Sequence, residues 1–192
     1  FLSCYYDDKN AQNKFEKLIN NKKTNFSRYT FFYVNYLFKK NLTNKANFVL
    51  EKTLKANPRN LLLSQLKSDI NSKNRNPLQN NFDCKNISNV VAELFYISAN
   101  ALSSQSIYPA SNFYINLAKY LNQNFYSYNS LLAENFMMLK DYKKAKKIYF
   151  LLRKSGEIYN WYSSKQIAII NIEEDNVSEA IKIMERSYSK LK

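Results

Sequence analysis

Small residues recur along this chain at a spacing of 34 or 35 positions. In chain order, the residues at this position are Ala11, Ala46, Ser111, Ala145 and Ala180. The longest gap, 65 residues between Ala46 and Ser111, equals two periods of 34 with three residues missing. Two helices approach to roughly 8–10 Å only where small side chains lie at their crossing point. The spacing therefore predicts paired helices that stack as an array.

Two further columns keep the same period. Four positions after the small residue comes a large side chain, which is Phe15, Leu50, Ile115, Tyr149 or Met184. Twelve positions before it, where the chain is long enough, comes Val34, Ala99, Ala133 or Ala168. The small residue and the large residue four positions after it belong to the second helix of each repeat. The residue twelve positions before it belongs to the first helix. Each repeat is thus predicted to be a pair of helices.

Amphipathic periodicity predicts about ten helices. They cover residues 8–21, 26–39, 43–56, 59–73, 87–105, 108–123, 125–139, 142–154, 157–173 and 176–191. Polar residues around Pro77 interrupt the period and predict a loop over 74–86. We expect one structural unit over 1–192, with N-terminal repeats in 1–73 and C-terminal repeats in 87–192. Asn176 with Glu179 matches a capping box, and Asp141 matches a helix N-cap.

Composition supports a helical chain and explains much of its charge. Of 192 residues, 45% are apolar, but only one is Gly and three are Pro, too few for the turns of a β-sandwich. The net charge of +14 is compatible with nucleic-acid binding. However, Lys, Asn, Ile, Tyr and Phe all have A/T-only codons, so an A/T-rich genome is a simpler explanation of the positive charge. The densest basic cluster flanks Ala145 and comprises Lys143, Lys144, Lys146 and Lys147.

The sequence predicts neither catalysis nor a cofactor or metal site. It contains no His and a single glycine, Gly156, which excludes His-based nucleophilic chemistry and a glycine-rich phosphate loop. The acids Glu173, Glu174 and Asp175 are adjacent at a helix end, where we expect solvated charge. Cys4 and Cys84 are too few for a zinc site, and their spacing neither favours nor excludes a single disulfide.

The register resembles the tetratricopeptide repeat. The repeat at 126–159 carries the family's small and large positions at Ala133, Phe136, Ala145 and Tyr149, and the repeat at 27–60 carries them at Val34, Leu37, Ala46, Leu50 and Pro58. The family's Trp at the fourth position is missing throughout, and Asn171 replaces an aromatic residue. Residues 91–95 and 117–121 are also similar to multi-repeat members from α-proteobacteria. The resemblance implies an all-α fold, a right-handed α-α superhelix.

The resemblance also implies a partner-binding groove, because the first helices of such repeats line the concave face. The groove residues it implies are Arg28, Phe31, Asn35, Tyr96, Asn100, Ser130, Glu134, Met137, Met138, Tyr162, Lys165 and Ile169. Glu93 occupies an equivalent outward position of its repeat, so the resemblance places it on the concave face as well. Some members clamp a peptide carboxylate with Lys and Asn. Here Phe31 replaces that Lys and Glu134 would repel a carboxylate, so we do not expect the clamp.

The resulting interpretation is a non-catalytic scaffold that binds a peptide or helical segment of a protein partner. The alternative is a basic helical-repeat protein that binds RNA. An RNA code requires similar polar residues at equivalent positions of successive repeats. The fifth positions of the repeats are instead unlike one another, namely Phe31, Tyr96, Ser130 and Lys165, so a protein partner is favoured. No stretch approaches the roughly 20 apolar residues of a membrane span. The sequence is compatible with the cytoplasm and with the periplasm, and its repeat phase predicts an excerpt of a longer protein.

Overall fold

The computed structural model describes residues 1–21, 27–72 and 81–189, and within these ranges the protein is all-helical. Eleven α-helices and one 3₁₀ helix occur there, without a β-strand. The α-helices are α1 (Leu2–Tyr5), α2 (Ala11–Ile19), α3 (Ser27–Lys39), α4 (Thr43–Ala56), α5 (Leu61–Asn71), α6 (Ile87–Ser104), α7 (Tyr108–Leu121), α8 (Ser127–Met138), α9 (Tyr142–Leu152), α10 (Glu157–Glu173) and α11 (Val177–Tyr188). The 3₁₀ helix, Arg153–Ser155, directly follows α9.

The ten helices expected from periodicity correspond to α2–α11, and the short α1 is an addition. Most observed helices end one to three residues inside the expected limits, because end residues are held by fewer hydrogen bonds. The expected ends at 26, 73 and 191 lie outside the described residues, as does the part of the predicted loop before residue 81. Residues 82–86 form a turn, in which the Asn86 N–H donates to the Asp83 carbonyl at 3.0 Å.

The chain divides into two compact units, Phe1–Val90 and Val91–Lys192, with the boundary inside α6. The sequence analysis expected an interruption earlier, at 74–86. In the first unit α3 packs against α2, α4 and α5, and α4 packs against α5. In the second unit α7 packs on α8, α8 on α9, α9 on α10 and α10 on α11. These contacts join helices that are neighbours or next neighbours in the chain.

The small residues that define the period are in the protein interior. Ala11, Ala46, Ser111, Ala145 and Ala180 are all buried, and so are Val34, Ala99, Ala133 and Ala168 of the earlier column. One hydrogen bond joins the two columns directly, because the Ser111 hydroxyl donates to the Ala99 carbonyl at 2.8 Å. The backbones of α6 and α7 therefore approach closely at this point, as the spacing predicted.

The turns between paired helices repeat with the same spacing. Asn41, Ser106, Lys140 and Asp175 all have a φ between 57° and 63° and end α3, α6, α8 and α10. After each, the next N–H donates to a carbonyl five residues earlier, as from Leu42 to Leu37 and from Asp141 to Phe136, both at 2.9 Å. This left-handed helix ending usually carries Gly. Since the chain has one Gly, other residues adopt the conformation here.

Helix caps agree only in part with the sequence signals. The Asp141 carboxylate accepts from the Lys144 backbone N–H at 3.1 Å, so this N-cap is confirmed. The capping box predicted at Asn176 is wrong, because its side chain accepts no hydrogen bond from a backbone N–H of α11. Its Oδ1 atom instead accepts from the Ser178 hydroxyl at 3.4 Å. Asn60, which the sequence analysis passed over, caps α5 by accepting from the Leu63 N–H at 3.0 Å.

A disulfide between Cys4 and Cys84 ties α1 to the turn at 82–86. The two Cα atoms are 5.9 Å apart, although 80 residues separate them in the chain. Aromatic rings pack beside the bond, where Phe32 of α3 lies 5.0 Å from Phe1 and 4.4 Å from Phe82 between ring centroids. The beginning of the first unit, at Phe1, and a segment near its end, at Phe82, therefore both pack against α3.

Replacing Ala133 by Leu tests the close approach of the helices. Ala133 is fully buried, so three extra carbons must displace a neighbouring helix, and we expect the free energy of unfolding to fall by about 1–3 kcal/mol. Ala101→Leu is the matched control, because Ala101 is exposed on α6 and its change should stay within about 0.5 kcal/mol. Urea unfolding followed by circular dichroism measures both. Equal unfolding midpoints for the two variants would contradict a close helix–helix contact at Ala133.

Loss of the disulfide is expected to destabilise the first unit. Closure of a loop of 80 residues removes chain entropy from the unfolded state worth about 4 kcal/mol. Cys4→Ser/Cys84→Ser should lower the free energy of unfolding by roughly that amount, and dithiothreitol should do the same to the unaltered protein. The double variant itself should be insensitive to dithiothreitol. If reduction left the urea midpoint of the unaltered protein unchanged, the bond would not contribute to stability.

Candidate partner-binding surface

The first helices of the repeats in the second unit, α6, α8 and α10, lie side by side. The rings of Tyr96 on α6 and Tyr128 on α8 are 5.4 Å apart between centroids. Tyr162 on α10 donates its hydroxyl hydrogen to the Glu134 carboxylate on α8. These contacts link α6 to α8 and α8 to α10. We call the nine candidate residues on these three helices the α6–α8–α10 face.

A buried polar network holds α6, α7 and α8 in register. The Asn135 amide nitrogen donates to the Ser111 hydroxyl and to the side-chain amide oxygen of Asn112, both at 2.8 Å. The Asn135 amide oxygen accepts from the Ser103 hydroxyl at 2.6 Å. A buried amide left without partners would cost about 1–3 kcal/mol, so this arrangement selects one relative placement of the helices. Sequence reasoning missed Asn135, whose only signal is a polar residue on an otherwise apolar helix face.

All nine candidates of the second unit retain contact with solvent. Those classed as exposed are Asn100, Glu134, Met138 and Lys165, and those partly exposed are Tyr96, Ser130, Met137, Tyr162 and Ile169. The Met138 side chain is the most accessible large apolar group among them, at 63% exposure. The α6–α8–α10 face thus combines aromatic and Met side chains with amide, carboxylate and ammonium groups. Such a surface suits a segment that is partly apolar.

The three candidates of the first unit do not form an open surface. Phe31 is 1% exposed and Asn35 is 6% exposed, while Arg28 is half-buried with its guanidinium 5.8 Å from the Phe32 ring centroid. Phe31 packs edge-to-face on Phe32 at 5.5 Å, and α5 covers the same helix. The expectation that Phe31 and Asn35 face a partner is therefore corrected, because packing within the unit buries them.

Glu93 is a second difference from the expected surface. The sequence analysis placed it on the open face, but its side chain is fully buried in the second unit. The Tyr128 hydroxyl donates to one carboxylate oxygen of Glu93 at 3.4 Å. A buried carboxylate requires hydrogen bonds to replace lost hydration, which explains the Tyr at this place on α8. Glu93 therefore contributes to the contact between α6 and α8.

Burial alters the acid–base properties of the Glu134–Tyr162 pair. The Glu134 side chain is open to water on one side, yet surrounding protein removes hydration and raises the pKa of its carboxyl group. Burial, followed by the negative charge of Glu134, raises the pKa of the Tyr162 hydroxyl. Tyr149 lies beside this pair, with its ring centroid 6.0 Å from that of Tyr162. Tyr162 consequently remains a hydrogen-bond donor at neutral pH.

The described residues contain no group of three or more His, Cys, Asp or Glu side chains placed to hold a metal ion. Their ion pairs join single acids to lysines at the surface, as between Lys67 and Glu51 at 2.8 Å. No helix in the described ranges has the length and apolar character needed to cross a bilayer. The chemical groups on the α6–α8–α10 face are suited to hydrogen bonding and apolar contact.

Comparison of the chain with known proteins gave no match to a family model, to a curated protein or to a solved structure. The resemblance to tetratricopeptide repeats therefore stays a sequence-based hypothesis, which depends on the residues quoted above.

Glu134→Gln is expected to make stability less dependent on pH. A carboxyl group whose pKa is raised by folding destabilises the folded state progressively as pH rises from its unfolded pKa through its folded pKa. The Gln variant keeps the hydrogen bond from Tyr162 without the charge, so its melting temperature should exceed that of the unaltered protein at pH 7. At pH 3.5, where Glu134 is protonated in both states, the two should converge.

Glu185→Gln provides the control, since Glu185 is an exposed acid on α11. It should leave the pH dependence of the melting temperature unchanged. Thermal unfolding by circular dichroism between pH 3.5 and 7.5 measures all three proteins. If Glu134→Gln destabilised the protein equally at every pH, the hydrogen-bond geometry, and not the partly desolvated charge, would dominate at this position.

Proposed function

We propose that the chain is a right-handed solenoid of tetratricopeptide-like helical pairs that serves as a non-catalytic scaffold. Its partner contributes a peptide or helical segment that binds to the α6–α8–α10 face. The observation that carries this proposal is that side-chain contacts link helices of three repeats, from Tyr96 of α6 to Tyr128 of α8 and from Tyr162 of α10 to Glu134 of α8. A shared surface built from successive repeats is the usual binding site of such arrays.

The proposed solenoid is supported by two periodic features. Buried small residues and left-handed turns recur together, as Ser106 with Ser111, Lys140 with Ala145 and Asp175 with Ala180. Helix contacts within each unit are also local in sequence, which is how repeat arrays bury their apolar faces.

The proposed binding mode follows from the side chains on the face. Tyr96, Met137 and Met138 would supply apolar anchors, since a few such side chains usually dominate the binding energy of an interface. Glu134 and Lys165 would select partner segments with complementary donors and acceptors. The flexible Met side chains would adapt to more than one apolar residue.

RNA recognition by a repeat code is less favoured by the positions concerned. Of the fifth positions, Phe31 is buried, and the Ser130 hydroxyl donates to the Ser127 carbonyl at 2.7 Å. Phe31 therefore cannot reach a base edge, and the one donor of the Ser130 hydroxyl is already used within its own helix.

Tyr96→Ala/Met137→Ala tests the proposal. Peptides selected from a random 12-residue display library on the unaltered protein should bind the double variant at least roughly tenfold more weakly, because two anchors are lost. The matched control is Phe113→Ala/Tyr120→Ala, which removes two exposed aromatic side chains from α7. The control should bind the same peptides normally. Fluorescence anisotropy measures affinity, and circular dichroism checks helicity.

Unchanged affinity of the folded Tyr96→Ala/Met137→Ala variant would reject the assigned face. Equal loss in the α7 control would place the binding site on the second helices instead.

A further inference from the structure

The outward side of α9, with the turn before it and the 3₁₀ helix after it, combines positive charge with exposed apolar groups. The exposed basic residues are Lys140, Lys143, Lys144, Lys147 and Lys154, and the exposed large apolar residues are Phe150 and Leu151. Together we call them the α9 basic face. The opposite side of α9 is buried through Ala145, Ile148, Tyr149 and Leu152, so packing fixes the basic side toward solvent.

Most of the charge on this face lacks a neutralising partner. Lys144 pairs with Asp141 at 2.8 Å. Lys146 pairs with Glu174, which directly follows α10, and donates to the Asn171 side chain on α10. Within the described part of the chain, Lys140, Lys147 and Lys154 have no ion pair with a carboxylate, and Lys143 forms none either, although its charge acts together with Lys144 on the Asp141 carboxylate. The face therefore presents several free ammonium groups close together, which attract a polyanion.

Two large apolar side chains project from among these lysines. Phe150 is 48% exposed and Leu151 is 54% exposed. The Arg153 guanidinium lies 5.9 Å from the Phe150 ring centroid, which adds a further cation beside that ring. Lysines around exposed Phe and Leu combine electrostatic attraction with apolar insertion, the two contributions to binding at an anionic membrane surface.

An anionic lipid surface fits this face better than RNA does. Both partners would use the ammonium groups, but RNA binds apolar side chains mainly by stacking bases on aromatic rings. Leu151 cannot stack in this way, whereas an aliphatic side chain enters the boundary between headgroups and acyl chains readily. Lys is also the residue type that supplies most of the charge here, and it interacts with phosphate as a point charge without needing a planar geometry.

We propose that the α9 basic face binds peripherally to anionic lipid membranes. Its lysines contact lipid phosphates, and Phe150 and Leu151 insert at the level of the headgroups. This site is formed by a second helix, and the α6–α8–α10 face is formed by first helices. The proposal therefore does not depend on the scaffold function.

The test compares the full chain on two kinds of vesicle at 100 mM NaCl. Large unilamellar vesicles of phosphatidylcholine with 30% phosphatidylglycerol should bind the protein, and pure phosphatidylcholine should not. Lys143→Gln/Lys147→Gln/Lys154→Gln should reduce the partition coefficient roughly 100-fold, because each lysine near an anionic surface contributes about a factor of five. The control Lys52→Gln/Lys55→Gln/Arg59→Gln removes the same charge from exposed sites in and just after α4, and should change it less than threefold.

A second readout tests insertion. In a Trp161→Phe background, Phe150→Trp should show a blue-shifted emission with anionic vesicles, and brominated lipids should quench it. Phe150→Ser/Leu151→Ser should lose the part of the binding that persists at high salt. Circular dichroism confirms that each variant is folded.

Three outcomes would overturn the proposal. Equal loss of binding in the α4 control would show that net charge alone is responsible. Binding without the fluorescence shift would exclude insertion of Phe150. Binding of a labelled 30-nucleotide poly(U) that the α9 substitutions abolish, with no binding to vesicles, would assign the face to RNA.

Discussion

Close approach of neighbouring helices at small side chains is the constraint on which this structure depends. Where Ser111 meets the Ala99 carbonyl, the side chain that permits contact also makes a hydrogen bond across the pair. A left-handed turn before each second helix returns the chain at the angle that such contact needs. The small residue and the turn keep a constant spacing, so each repeat builds the same pair of helices.

The sequence predicted those parts of the fold that have a period. The ten helices, the buried small column and the Asp141 cap all leave local patterns that can be counted. It failed at Phe31, because Phe31, Phe32 and Tyr33 are consecutive and all buried, so no periodicity distinguishes an outward position. The surroundings of α3 come from Phe1 and Phe82, residues far apart in the chain, and no local pattern reports them.

In the candidate site too, periodic positions predicted some features, and contacts between distant residues determined the others. Repeat positions assigned Tyr96, Glu134 and Tyr162 to one face. Tyr162 donates to Glu134 directly, whereas the Tyr96 ring contacts Tyr128, which is on the same helix as Glu134. Repeat positions alone did not distinguish Glu134, which stays accessible, from Glu93, which is buried against Tyr128. Nor did they reveal Asn135, whose amide links three helices. These differences arise from the partners that a side chain meets, and a one-dimensional pattern carries no record of them.

The bond between Cys4 and Cys84 also governs how the protein would respond to mechanical force. If the chain were stretched from its two ends, the tension would pass from one sulfur atom to the other and bypass the segment between these cysteines, which are 80 positions apart. At roughly 3.4 Å per extended residue, about 270 Å of contour length would stay hidden until the bond was reduced. The first unit would thus behave as a short link under load, while the second unit could be drawn out along its whole length.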